Sequence, residues 1–244
     1  MIRRALVGRL TAACLPWGGA FLLAVAVLVV SARADALDVG SLPRPELLTQ
    51  ALGAYQRVAA AGFVRTRLLT VIDYALPSSE RRLWVIDPER LRVLFHEFVA
   101  HGRGSSTDAD PDRAVRFGND PSSLRSSLGT FVTGRTYAGK HGHSLELIGL
   151  DAGVNDNALA RRIVMHPAVY VSASYRAFQG RVGRSWGCPA LDPAVAAALI
   201  DRIRDGSVLY AAGVSGSGDE HRTASRRDGG QRLSSARASA ASWP

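Results

Sequence analysis

Cysteine is nearly absent from this chain: among 244 residues only Cys14 and Cys188 carry a thiol. Two cysteines cannot build a disulfide scaffold, and neither has a zinc-finger spacing. Aromatic residues are also few, at 7%. They do not interleave with a basic stripe, and the arginines are scattered instead of gathered on one helix. Nucleic acid is therefore not an expected partner. Long apolar runs are missing except for Ala20 to Val30, and no internal repeat or second core is apparent. At this length, with 47% hydrophobic content, the chain can bury one good core.

The apolar run explains the fate of Cys14. Arg3, Arg4 and Arg9 precede it and Ala32-Arg33-Ala34 follows, the pattern of an export signal cleaved before Asp35. An uncleaved membrane anchor is the alternative, because counting from Leu10 gives about 20 residues. Cleavage would leave Cys188 as the sole thiol. It would also remove Arg3, Arg4, Arg9 and Arg33 with no acid, so the formal charge falls from +9 by four to +5. That charge suits an anionic partner such as a cell-wall polymer, with transient membrane or envelope-protein contact as a further expectation.

Apolar spacing predicts one amphipathic helix over 43–62, carried by Leu47, Leu48, Ala51, Leu52, Tyr55, Val58 and Ala59. Strands are expected at 67–74, 82–86 and 91–101, then at 129–133, 144–150, 162–166 and 170–173. Residues 102–127 are rich in Gly, Ser, Asp and Pro and read as a long surface loop. Asp192-Pro193 reads as an N-cap and first-turn proline for a helix to about Arg204, followed by a strand over 207–212. From Val214 to Pro244 large apolar side chains almost vanish, which predicts a disordered tail. The organisation expected is a signal over 1–34, an N-terminal helix and first strands over 35–90, a core over 91–213 and the tail.

An exported protein gains nothing from an unpaired thiol unless it is buried or put to use, and Cys188 lies in the Gly-rich stretch Gly183-Arg184-Ser185-Trp186-Gly187-Cys188-Pro189-Ala190. Cys188 reads as a nucleophile. Its proximity to the helix at Pro193 suggests a dipole favouring the thiolate, and the amides of Gly187 and Cys188 are candidate oxyanion donors. His166, ending the apolar run Ile163-Val164-Met165, is the expected general base and acid; His141 is its rival. No metal or cofactor motif is present: His96, Glu97, His101, His141 and His143 lack a His-Glu-x-x-His spacing, which leaves a zinc peptidase the weaker reading. Asp108, Asp110 and Asp112 fail as a calcium loop, since Arg113 stands at the required glycine and Asn119 at the bidentate acid. Asn155-Asp156-Asn157 reads as a structural turn.

These stretches together resemble the murein L,D-transpeptidase (YkuD-like) catalytic domain. Its nucleophile loop usually reads Ser-His-Gly-Cys, an apolar residue and Arg; Ser185, Gly187 and Cys188 match, with Trp186 in place of His. The likeness is greater to a divergent branch with a Gly-Lys-His-Gly-x-Ser-Leu segment and an Asn-Asp-Asn-Ala segment ahead of the histidine. Here these are Gly139 to Leu145 and Asn155 to Ala158, and Ser127 to Phe131 is similar to the family's Thr-Pro-x-Gly-x-Phe strand start. The resemblance spans about 91–213. Pro167 and Pro189-Ala190 depart from the Gly and Arg usual at those places.

The resemblance implies a mainly β fold with flanking helices (α+β), of sandwich or barrel type, acting in the periplasm or cell envelope without a cofactor. It implies that Cys188 attacks the L-centre carbonyl of meso-diaminopimelate in a peptidoglycan stem tetrapeptide while His166 protonates the departing D-Ala. An amine would resolve the thioester to a 3-3 crosslink; water would make the protein a carboxypeptidase. Ser185 would orient the histidine, Arg184 or Arg181 would hold a stem carboxylate, and His141 would contact substrate; Trp186 reads as a wall of the cleft or a cover over the core. A non-catalytic wall-binding module that keeps the fold is the remaining alternative.

Overall fold

Pro45 opens the first helix, α1 (Pro45–Ala60), because its missing N–H falls where no helical acceptor exists. Leu47, Ala51, Ala54 and Val58 recur every three or four residues and form its buried face. The computed structural model describes residues 42–214. The export segment with Cys14, and the tail beyond Val214, lie outside the described residues.

The strands are β1 (Leu69–Asp73), β2 (Leu83–Asp87), β3 (Arg92–Glu97), β4 (Gly129–Gly139), β5 (Gly142–Gly149), β6 (Val164–Pro167), β7 (Ala190–Leu191) and β8 (Val208–Ala212). They form one mixed sheet in the order β3-β2-β1-β8-β4-β5-β6-β7, with β1–β8 and β6–β7 parallel and the other pairs antiparallel. Residues 42–90 thus supply β1 and β2 to the same sheet and α1 to its face, and a boundary at 90/91 would cut the β2–β3 hairpin.

Burial on both faces explains why the inner strands read as unbroken apolar runs. In β2, Trp84 and Ile86 pack with Leu69, Val71 and Val208 under α1. Leu83 and Val85 belong to the opposite core, with Phe131, Leu145, Leu147 and Leu209. That second core is closed by Ala196, Leu199, Ile200 and Ile203 of the C-terminal helix, α3 (Pro193–Ile203). Each fully buried Leu or Ile contributes about 1.5–3 kcal/mol, so the two clusters dominate stability. The architecture is the helix-flanked, mainly β class expected.

Two local expectations fail. Residues 170–173 are not a strand: Val169–Val171 is a 3₁₀ turn and Ala173–Gln179 is a helix, α2, capped by the Ser172 hydroxyl and ended by Gly180 at φ 70°. The 102–127 segment is also more than a surface loop. Gly102, Ser105, Ser126 and Ser127 are buried, and Gly102 bridges Ser185 in parallel register.

Candidate active site

Parallel pairing of β6 with β7 builds the site. It sets His166 opposite Ala190, two residues after Cys188, at the strand ends. The half-buried Cys188 thiol lies beside the start of β6, with Sγ 3.7 Å from the Arg162 carbonyl oxygen. Cys188 therefore precedes a strand and not a helix. β7 stands between it and Asp192, the N-cap of α3.

The turn holding Cys188 is fixed by its own serine and by the 102–127 segment. Ser185 Oγ donates to the Cys188 carbonyl at 2.6 Å and accepts from the Gly187 N–H at 3.0 Å. Ser185 N–H donates to the His101 carbonyl, and the Ser185 carbonyl accepts from Arg103 N–H. From below, Ser126 Oγ donates to the Gly187 carbonyl at 3.1 Å and accepts from Gly102 N–H at 3.0 Å. Gly187 adopts φ 119°, and a Cβ there would lie 2.7 Å from the Arg125 carbonyl oxygen. Only glycine satisfies both the dihedral and the close approach.

These contacts correct two expectations. Ser185 makes no hydrogen bond to His166 among the described residues; its hydroxyl is held within the turn and its carbonyl accepts from Arg103. The Gly187 amide is not free for an oxyanion, because it already donates to Ser185. The Cys188 N–H makes no hydrogen bond among the described residues.

His166 is 3% exposed. Its Nδ1 lies 2.9 Å from the Pro167 carbonyl oxygen. A carbonyl only accepts, so Nδ1 carries the proton in the neutral ring and Nε2 keeps its lone pair. The Pro167 carbonyl thus does the orienting first assigned to Ser185. No hydrogen bond joins His166 to Cys188 among the described residues. His141, at the tip of the β4–β5 hairpin, stacks on His166 with ring centroids 4.5 Å apart. It is a neighbour of the buried imidazole, while Trp186 is 70% exposed with Lys140 Nζ 5.9 Å from its ring centroid.

Of the two arginines expected to bind a carboxylate, Arg184 is already engaged. Arg184 reaches Ser106 Oγ, the Thr107 carbonyl and Asp108 Oδ1 at 3.2–3.4 Å. Arg181 donates to the Val182 carbonyl. Sequence reading passed over Arg161, whose guanidinium bonds the carbonyls of Gly118 and Arg125 and the hydroxyls of Ser123 and Ser127, beneath the turn. Its place just before the histidine strand was the one available signal. Asn155 is structural: buried, it donates to the Leu128 and Thr130 carbonyls and accepts from Asp151 N–H.

Among the described residues, no three His, Cys, Asp or Glu side chains converge as a metal site. His96 stacks on Trp84, His143 pairs with Asp201, and His101 is bonded to Arg82.

The family model for the L,D-transpeptidase catalytic domain matches residues 42–212. The chain belongs to that family. The match extends well ahead of residue 91, where the sequence resemblance begins, and takes in α1, β1 and β2. No curated protein matches the chain. Similar solved structures include an L,D-transpeptidase from Mycobacterium smegmatis, at 15% identity and TM-score 0.35, covering 60% of this chain and 59% of that one. The helical cell shape determining protein Pgp2 from Campylobacter jejuni (K307A mutant) is 10% identical with TM-score 0.39, covering 72% and 58%. An L,D-transpeptidase fragment from Xylanimonas cellulosilytica is 15% identical with TM-score 0.36, covering 69% and 93%. The chain spans about three-fifths of the length of the Mycobacterium smegmatis enzyme.

In this L,D-transpeptidase domain, burial sets the charge state of the site. Loss of solvent pushes the Cys188 thiol above its ordinary 9.0, while the Val164 N–H and the charges of Arg161 and Lys140 pull the other way. Burial likewise pushes the His166 imidazole below 6.5; the Pro167 carbonyl opposes this, and His141 and Lys140 add to it. Both groups are therefore uncharged at rest near pH 7.

Proposed function

We propose that this chain is a cysteine-dependent peptidoglycan L,D-transpeptidase. Cys188 is the nucleophile and His166 the base and acid, acting on stem tetrapeptides that end in diaminopimelate–D-Ala. What supports this most is the β6–β7 pairing, which sets the one thiol among the described residues in a braced turn two residues before the partner of a buried histidine, whose Nε2 makes no hydrogen bond among those residues. Family membership supports the reaction class.

The step follows from the charge state. As Sγ bonds to the carbonyl carbon of the L-centre of diaminopimelate, the thiol proton passes to His166 Nε2. Negative charge moves to the carbonyl oxygen, for which the unengaged Cys188 N–H is the proposed donor. Collapse breaks the C–N bond, and His166 returns its proton to the departing D-Ala amine, leaving a thioester. An acceptor amine then attacks the thioester and gives its proton to His166. The amide forms and the thiol is restored. With an N-terminal export signal, the reaction belongs outside the cytoplasm, in the periplasm or envelope, with the chain cleaved or membrane-anchored.

Intact-protein mass spectrometry after mixing the full chain with disaccharide tetrapeptide tests the nucleophile. The expected result is an adduct equal to the donor less D-Ala, absent from Cys188→Ala. An unmodified wild-type protein that nonetheless releases D-Ala would remove Cys188 from the role.

A further inference from the structure

Of the chain's 30 lysine and arginine side chains, Lys140 is the one lysine. It stands at the tip of the β4–β5 hairpin, where Gly139 pairs with Gly142 and Gly142 closes the turn at φ 81°. The next residue, His141, stacks on His166, which fixes the tip over the site. Lys140 itself is exposed, with its ammonium 5.9 Å from the centroid of the largely exposed Trp186 ring, two residues before Cys188. An aromatic face attracts a cation without neutralising it, so the charge stays available to an anion. No carboxylate pairs with Lys140 among the described residues. Two other cations of the site differ: Arg161 is spent on four loop acceptors, and Arg184 on Ser106, Thr107 and Asp108.

We infer that Lys140 is the carboxylate-recognising residue of this site, binding a carboxylate of the stem-peptide donor against the exposed face of Trp186. The inference rests on the function proposed above and replaces the part given to Arg184 and Arg181. A lysine ammonium is a compact charge with three rotatable donors, suited to a carboxylate arriving in an open site, whereas arginine favours a fixed planar fork. The same charge bears on the reacting groups: after burial itself, Lys140 is among the influences on Cys188, His166 and His141.

The sole lysine makes the test direct. Reductive ¹³C-methylation of the full-length Cys188→Ala protein gives one side-chain dimethylamine signal, distinct from the N-terminal amine, and keeps the charge. It is titrated with stem tetrapeptide and with tetrapeptides whose carboxylates are amidated one at a time, and Cys188→Ser repeats the titration. The tetrapeptide is expected to shift the signal. Amidating one carboxylate, which identifies the group bound, should weaken binding about five- to tenfold; Lys140→Ala, followed by calorimetry because it has no lysine signal, should do the same, and Lys140→Arg should restore part of it. Lys140→Ala should not affect binding of that amide. Equal losses for acid and amides, no shift, or no binding would overturn the inference. Lys140-dependent binding to a protein whose wild type forms no acyl adduct would keep the inference and sink the transpeptidase reading; adduct formation without Lys140 dependence would do the reverse.

Discussion

Because burial holds the His166 imidazole below 6.5, the proposed base is neutral at pH 7, and kcat/KM should fall only as pH drops through that lowered value. The pH profile of the wild type checks this; an acid limb above 6.5 would contradict it. His166→Gln should lower kcat/KM by about 10²- to 10⁴-fold. The thiol titrates above 9.0, so iodoacetamide should modify resting Cys188 slowly at pH 7 and faster above pH 9. Slow alkylation at neutral pH is therefore expected of an active enzyme and does not mark a binding module. Gly187→Ala would force a Cβ against the Arg125 carbonyl at a strained φ. A destabilisation of about 1–3 kcal/mol is expected in denaturant titrations, with activity falling further than stability. Cys188 was legible because a thiol flanked by glycine, outside the export segment that holds Cys14, has few other uses. The Pro167 carbonyl was not, since no side-chain pattern announces a backbone acceptor.

Arg161 ties the 118–127 segment to the start of β6, and that segment supports Gly187 from below. Arg161→Met should cost about 2–3 kcal/mol, less than four independent hydrogen bonds would suggest, because one side chain makes them all. Amide exchange over 118–127 should speed up before the sheet is affected; unchanged exchange there would contradict this bracing role. Asp192 links two helices, capping α3 at Ala194 N–H and pairing with Arg176 of α2. α1, α3 and the β2–β3 hairpin could be read from the sequence because their periodicities are local. α2 was missed because Tyr170-Val171 reads as strand, although Ser172 and Gly180 were its cap signals. β7, with two residues, has no period to detect, and the packing of 102–127 under the Cys188 turn joins residues some 60–85 positions apart, beyond any local pattern.

Stability of the whole domain should depend on pH through His101 and Arg82, both fully buried. Arg82 donates to His101 Nδ1 at 2.7 Å and to the Val99 and Leu76 carbonyls. Burial, helped by the Arg82 charge, pushes His101 down to about 3. Between 6.5 and about 3 the unfolded chain binds a proton there that the folded chain does not, so stability falls with falling pH at roughly 1.4 kcal/mol per unit. Thermal melts from pH 7 to pH 4 check this, and His101→Gln should flatten the slope. A two-faced sheet with this buried polar support is a frame for the proposed acyl-transfer centre, and the most direct test of that proposal is what the chain makes. The measurement is product mass spectrometry after incubating the full chain, and its Cys188→Ala variant, with diaminopimelate-containing disaccharide tetrapeptides. Release of D-Ala with 3-3-linked dimers that vanish in Cys188→Ala is the result expected. Unchanged tetrapeptide, with wild type and Cys188→Ala indistinguishable and both folded, would contradict the transpeptidase assignment.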